Sequence, residues 1–120
     1  MQIPLGATLY LIGQSASVGG WAMVLWGIPL SLVFVYHITW LVNSATHCWG
    51  SIAYESGDNS KNNKWVAALT FGEGWHNNHH AFPNSAKHGL QPKQIDLTWQ
   101  HIRFLKAIGL AKKIRLPIAS

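Results

Sequence analysis

The sequence predicts an all-α chain, part of a membrane-embedded helical bundle with a cytosolic helical metal-binding cap. Three observations lead there. No Asp, Glu, Lys or Arg occurs from Met1 to Tyr54, and Glu55 is the first charged residue. Inside that uncharged half, Trp21 to Val42 is an apolar run of about 22 residues, ~33 Å long as a helix and enough to cross a hydrocarbon core of ~30 Å. Three histidines then crowd into His76-Asn77-Asn78-His79-His80, where positions i, i+3 and i+4 share one helix face.

The elements follow in order. Ile3 to Gly13 is apolar but about half the length of a span, so it reads as the end of a shortened transmembrane helix. Gln14 to Gly20, with Ser15, Ser17, Gly19 and Gly20, reads as a tight turn. Trp21 to Val42 is the membrane span, with aromatic residues near both ends as interfacial belts have. Pro29 inside it predicts a kink, which neighbouring helices tolerate in a membrane. Asn43 to Tyr54 stays uncharged but carries Asn43, Ser44, Thr46 and His47, as a helix leaving the bilayer into a polar site does. Glu55 to Lys64 is a polar loop, and Trp65 to Phe71 a short apolar run. The histidine helix follows Gly72-Glu73-Gly74 and stops at Pro83. After a loop with Pro83, Gly89 and Pro92, a last helix from about Trp99 to Ile108 is expected. Asp96 or Thr98 caps it, Trp99, Ile102, Leu105 and Ile108 form its apolar side, and Gly109 ends it.

A chain of 120 residues holds at most one ordinary domain. Here it divides by chemistry into residues 1–54, the transmembrane part, and residues 55–120, the cytosolic histidine region with the C-terminal helix. No basic stretch follows Met1, so no secretory signal is indicated, and the apolar opening suggests a protein that begins further upstream. The net charge of +5 comes wholly from the second half. With no zinc-finger spacing or RNA-binding signature it does not point to nucleic acid. Basic residues beside an apolar span fit a cytoplasmic membrane face. The one cysteine, Cys48, excludes an internal disulfide and reads as a small buried residue.

Imidazole is the commonest side-chain ligand for transition metals, so His76, His79 and His80 are candidate metal ligands. A zinc-protease site would need Glu where Asn77 stands, and structural zinc favours several cysteines. Imidazole also suits iron and copper. Asn43 and His47 lie four apart on one helix face, directly after the span, where polar groups are costly and usually functional. His47 is a further candidate ligand, and Asn43, a weak ligand, fits contact through a water. Glu73, three residues before His76, is a candidate to accept the other ring proton of a ligand imidazole. His37, inside the span, reads as a packed or interhelical polar residue, and His88 and His101 as non-ligands.

Two segments carry a family resemblance. Thr39-Trp40-Leu41-Val42-Asn43-Ser44-Ala45-Thr46-His47 and Gly72-Glu73-Gly74-Trp75-His76-Asn77-Asn78-His79-His80-Ala81-Phe82-Pro83 resemble the membrane-bound fatty-acid desaturases of the delta-9 acyl-lipid and acyl-CoA type. The tail Gln94-Ile95-Asp96-Leu97-Thr98-Trp99 and Leu105 to Ala111 is similar to the bacterial or cyanobacterial branch. The resemblance implies two iron ions held by several histidine boxes on the cytoplasmic side of a multi-pass four-helix membrane bundle. His76, His79 and His80 would form the third box, with His47 as an extra ligand and Asn43 as its water-mediated partner.

It further implies an acyl desaturase, an oxidoreductase that uses dioxygen to insert a cis double bond, delta-9 by this resemblance, into a saturated acyl chain. The substrate would be a membrane lipid or acyl-CoA, and the electron donor ferredoxin or a b-type cytochrome. Nothing in the chain matches the family's first two boxes, so it is expected to be a C-terminal part, inactive alone. Two other readings stay open: a related histidine-box hydroxylase or alkane monooxygenase, and a non-catalytic membrane metal-binding protein.

Overall fold

The computed structural model describes residues 2–117. All regular structure among them is helical: α1 Gln2–Ser15, α2 Gly20–Leu25, a π-helical turn Trp26–Leu30, α3 Ser31–Cys48, α4 Lys64–Leu69, α5 His76–Ala81 and α6 Leu97–Ala107. The all-α expectation holds. The described residues cluster into two compact units, 2–39 and 40–117.

In the first unit, α1 ends where the small polar residues begin. Ser17 takes a left-handed φ of 58°, the Val18 N–H reaches the Gly13 carbonyl at 3.1 Å, and the Ser17 N–H reaches that of Gln14 at 3.3 Å. These two bonds close the helix end in the way that glycine usually allows. The turn is shorter than the sequence suggested, since Gln14 and Ser15 are still helical and Gly20 already belongs to α2. α2 then packs back on α1 through small residues. A Cβ on Gly20 would fall 2.5 Å from the Tyr10 ring, and one on Gly27 2.8 Å from Leu9. Close backbone approach of this kind is how apolar helices associate without a hydrophobic driving force between them.

The helix that contains the expected span runs from Gly20 to Cys48, 29 residues with a mean hydropathy of 1.7, long and apolar enough to cross a membrane. Pro29 marks a break in the regular α-helical winding. It lies within the π-helical turn Trp26–Leu30, where the wider winding accommodates a residue that has no N–H to donate and whose ring crowds the preceding turn. Trp21, Leu25, Trp26 and Phe34 are all exposed, so this helix presents its large apolar side chains outward.

The second unit is organised around the end of α3. Its apolar core is small: Val42, Ala45 and Val66, with Leu41 packed against them. The last carbonyls of α3 would be orphaned without partners. The Lys61 N–H donates to Thr46 O at 2.7 Å, Lys61 Nζ to Cys48 O at 2.8 Å, and Asn63 Nδ2 to Trp49 O at 3.2 Å. Lys61 thus sets a positive charge at the negative end of the helix dipole. Cys48 is exposed rather than buried.

Ser51, Asn62 and Trp75 are joined by two isolated antiparallel bridges. They tie the stretch after α3 to the residue before α5. Gly50 is required there, since a Cβ would lie 2.4 Å from Asn62 O at a φ of +141°. Asn63 caps α4, its side chain accepting from the N–H groups of Trp65 and Val66. Gly74 lies flat on α4, where a Cβ would come within 2.0 Å of the Ala67 nitrogen. α5 ends at Ala81 with Phe82 as its cap, just before Pro83. Asp96 caps α6 by accepting from the Trp99 N–H. α6 starts two residues before the expected Trp99 and ends at Ala107, with Gly109 at a φ of 78° beyond it.

Candidate metal centre

Two elements bring the histidines together. α3 delivers His47 in its last turn, and α5 carries His76, His79 and His80. His47, His76 and His80 each offer a ring nitrogen, and these atoms all lie within 4.8 Å of one another. His80 Nε2 and His76 Nε2 are 3.0 Å apart, with ring centroids at 4.3 Å. The His47 ring stands edge-on to both, at 5.2 Å from His76 and 5.6 Å from His80. Imidazole nitrogens bound ~2.1 Å from one ion lie roughly 3 to 4 Å apart. The His76–His80 pair already has that spacing, and His47 has only a short distance to close. The donor set is therefore one that could hold a metal ion.

The two asparagines between the histidines lock α5 in place. Asn77 and Asn78 are among the largest fully buried side chains among the described residues. Asn77 Oδ1 accepts from the N–H groups of Ala53 at 2.8 Å and Tyr54 at 2.9 Å, and its Nδ2 donates to Tyr54 O at 2.9 Å. Asn78 Oδ1 accepts from Asn62 Nδ2 at 2.7 Å. Its Nδ2 donates to His88 O at 2.7 Å and Gln94 Oε1 at 2.8 Å. Buried amides satisfied this fully fix both position and rotation of a short helix. Asn62 thus serves twice, through its backbone in the bridges and through its side chain on α5.

The loop after α3 supplies a carboxylate. Asp58 Oδ2 meets His80 Nδ1. Asp58 Oδ1 accepts from the Ser60 N–H at 2.9 Å and from Ser56 Oγ at 2.8 Å. The Ser60 hydroxyl and amide, followed by Ser56, hold the Asp58 carboxyl well below the usual carboxylate range, and His80 adds to this. His76 is pushed down to about 4, first by burial and then by the neighbouring His80, His47 and His79. Its ring therefore stays neutral, as a metal ligand must be.

His79 occupies a different setting. It stands 4.6 Å from the His88 ring, against 5.7 Å from His80 and 6.1 Å from His76. Burial, then His88 and His80, lower its pKa. Its Nδ1 is buried without a hydrogen-bond partner among the described residues. Glu73 Oε2 lies 3.5 Å from His88 Nδ1. Asn43 is exposed on α3, one turn before His47. His37 Nδ1 lies 2.8 Å from the Val33 carbonyl of its own helix.

Sequence reasoning missed Asp58, Asn62, Asn77, Asn78 and the place of His88 beside His79. A faint signal existed for the first, because Asp58-Asn59-Ser60 suits a turn in which an Asp side chain bonds the amide two residues on. Its link to His80 had no sequence signal.

Comparison with known proteins gives a consistent result. The family model described as fatty acid desaturase matches residues 2–113. The sn-1 stearoyl-lipid 9-desaturase of Synechocystis sp. is 56% identical over 117 residues, 98% of this chain and 35% of the relative. The chloroplastic palmitoyl-monogalactosyldiacylglycerol delta-7 desaturase of Arabidopsis thaliana is 60% identical over 101 residues, 84% of this chain and 27% of the relative. The icosanoyl-CoA 5-desaturase of Limnanthes douglasii is 51% identical over 109 residues, 91% of this chain and 31% of the relative. The chain thus spans about a third of the length of these curated relatives.

Proposed function

This chain belongs to the fatty acid desaturase family, and we propose that it forms the C-terminal share of a membrane acyl desaturase whose iron site takes His47, His76, His79 and His80 as ligands. The observation that carries this reading is the convergence of His47 from α3 with His76 and His80 from α5. A structural histidine patch would not need two separate elements to aim ring nitrogens at one point.

Two bound iron ions would supply the oxidising chemistry, with dioxygen reduced to two waters as two hydrogens leave the acyl chain, a donor gives two electrons and solvent gives two protons. The chain's own residues do the rest. His76, kept neutral by its buried setting, presents a lone pair without competition from protons near neutral pH. His79, with its unpartnered buried nitrogen, is proposed as a ligand beside the trio, turned toward a neighbouring position. Asn43, one helical turn from His47, is proposed to hold a water at the edge of the site. Glu73 acts through His88, the imidazole it faces. Asn77 and Asn78 keep α5 from rotating and so preserve the ligand geometry.

The helix Gly20–Cys48 is ~44 Å long at 1.5 Å per residue, longer than a hydrocarbon core of ~30 Å. In the proposed arrangement its excess length carries Asn43 and His47 beyond the bilayer to the cytoplasmic side, where the basic second half meets anionic lipid. Residues 1–54 would then be the membrane part of a multi-pass protein, and residues 55–120 its cytosolic cap. A saturated acyl chain, lipid-linked or as a CoA ester, is the proposed substrate. Ferredoxin or a b-type cytochrome is the proposed electron donor. Of the relatives above, the sn-1 stearoyl-lipid 9-desaturase supports a double bond at the delta-9 position of a lipid-linked chain. Four histidines cannot fill two iron shells, so activity is proposed to need the rest of the polypeptide.

The test is product analysis. The full-length protein, expressed with iron in a host lacking its own desaturase, should convert saturated acyl lipid to a cis-monounsaturated product, and His76→Ala should abolish it. An alcohol in place of an alkene would establish a hydroxylase instead. Equal product from wild type and His76→Ala would contradict the reading.

A further inference from the structure

We propose that Asp58 is a positioning residue that decides which nitrogen His80 turns toward the metal. This deepens the metal-site reading and rests on it. An imidazole ligates through a nitrogen that bears a lone pair, and its other nitrogen must then carry the proton. His80 Nε2 faces His76 Nε2 at 3.0 Å, inside the cluster. His80 Nδ1 faces the Asp58 carboxylate on the opposite side of the ring. An ionised carboxylate has no proton to give and can only accept. The proton of neutral His80 is therefore held on Nδ1, and the lone pair is left on Nε2, aimed into the site.

The carboxylate is itself held from several directions. The Ser60 N–H and the Ser56 hydroxyl both donate to its other oxygen, at 2.9 and 2.8 Å. The two serine hydroxyls are 2.9 Å apart, and Asn77 Nδ2 approaches them at 3.3 and 3.5 Å. A closed circuit results. Asn77 on α5 fixes the serines, the serines fix Asp58, and Asp58 fixes His80 on the same helix. A carboxylate so placed also fixes the orientation of the ligand ring, as partners behind metal-bound imidazoles do.

The decisive variant is Asp58→Asn, made in the full-length protein. The amide can keep its oxygen toward the Ser60 N–H and the Ser56 hydroxyl, so the loop is retained. It then offers N–H to His80 Nδ1, which moves the ring proton to Nε2 and blocks ligation. The opposite amide orientation would set N–H against the N–H of Ser60. Cobalt(II), titrated into metal-free protein in detergent, reports affinity through retained metal and reports ligand number through its visible absorption bands.

Asp58→Asn should weaken cobalt binding by about 10- to 100-fold and change the band pattern, while thermal unfolding of the metal-free protein stays near wild type. Ser60→Ala, which loosens the loop but keeps the carboxylate, should cost less affinity and leave the bands alone. Wild-type affinity and bands in Asp58→Asn would overturn the proposal. So would a loss of affinity matched by an equal loss of metal-free stability, which would mark a purely structural role. Equal cobalt binding by wild type and His76→Ala would overturn the metal reading and this proposal with it.

Discussion

Residues 2–39 and residues 40–117 are built on opposite plans. In the first, glycines line the contact between α1 and α2, and large apolar residues such as Trp21, Trp26 and Phe34 point outward. In the second, which also leaves Trp49, Trp65 and Phe71 exposed, the buried apolar residues are Val42, Ala45, Val66, Ala67 and Trp75, and the largest fully buried side chains among the described residues are Asn77, Asn78, Thr46 and Ser60. The first plan suits surroundings that are themselves apolar, where burying hydrocarbon gains little and close packing decides. The second spends its interior on hydrogen bonds that specify geometry, at a cost that only complete satisfaction offsets. The difference teaches where precision is needed. A span has to be apolar and long enough, whereas a metal site has to place ring nitrogens to within about half an ångström.

The comparison breaks most readily at Asn78. Asn78→Leu keeps the branched shape but strands Asn62 Nδ2 and the carbonyl of His88, both of which bond Asn78 now, whereas Gln94 Oε1 keeps the N–H groups of Leu90 and Gln91. Leaving buried polar groups unpaired costs roughly 1 to 3 kcal/mol each, so a loss of about 2 kcal/mol or more is expected. Denaturant unfolding of the full-length protein, followed by tryptophan fluorescence, measures it. Phe34→Leu, an apolar exchange on the outward face of α3, should stay within about 1.5 kcal/mol of wild type. Equal effects of the two would erase the distinction between the regions.

Legibility in the sequence follows the same division. The long helix was visible because hydropathy is a local property, and α6 because Asp96 and Gly109 mark its ends by their own chemistry. The helix runs on past Val42 through Asn43 to Cys48, as expected of a helix that leaves the span, whereas the turn before it and the exposure of Cys48 differ from the sequence reading. The pairing of His76 with His80 was readable from their spacing of four. His79 was not, because adjacent residues on a helix point about 100° apart. His79 and His80 therefore face different neighbours. The buried amide network was hidden because Asn77 and Asn78 look like spacers in the sequence. Their partners Ala53, Tyr54, Asn62, His88 and Gln94 come from loops with no periodicity to read. Asp58 was hidden for the same reason.

A smaller effect sharpens the contrast through pH. The folded pKa of His76 is lowered to about 4, against about 6.5 in an unfolded chain. Between those values the unfolded state binds the proton and the folded state does not, so stability falls as pH drops from about 6.5 to about 4. Metal-free protein should lose several degrees of thermal stability between pH 7 and pH 4, and His76→Ala should flatten that slope. An unchanged slope in the variant would show that the buried imidazole is not its source.

The central claim is that His47, His76 and His80 share one ion. Anomalous diffraction at the iron absorption edge, from crystals of the iron-loaded full-length protein, tests it most directly. The account predicts an iron peak ~2.1 Å from a ring nitrogen of each of the three. A fully loaded protein whose iron peaks all lie beyond bonding distance of these three rings would contradict it.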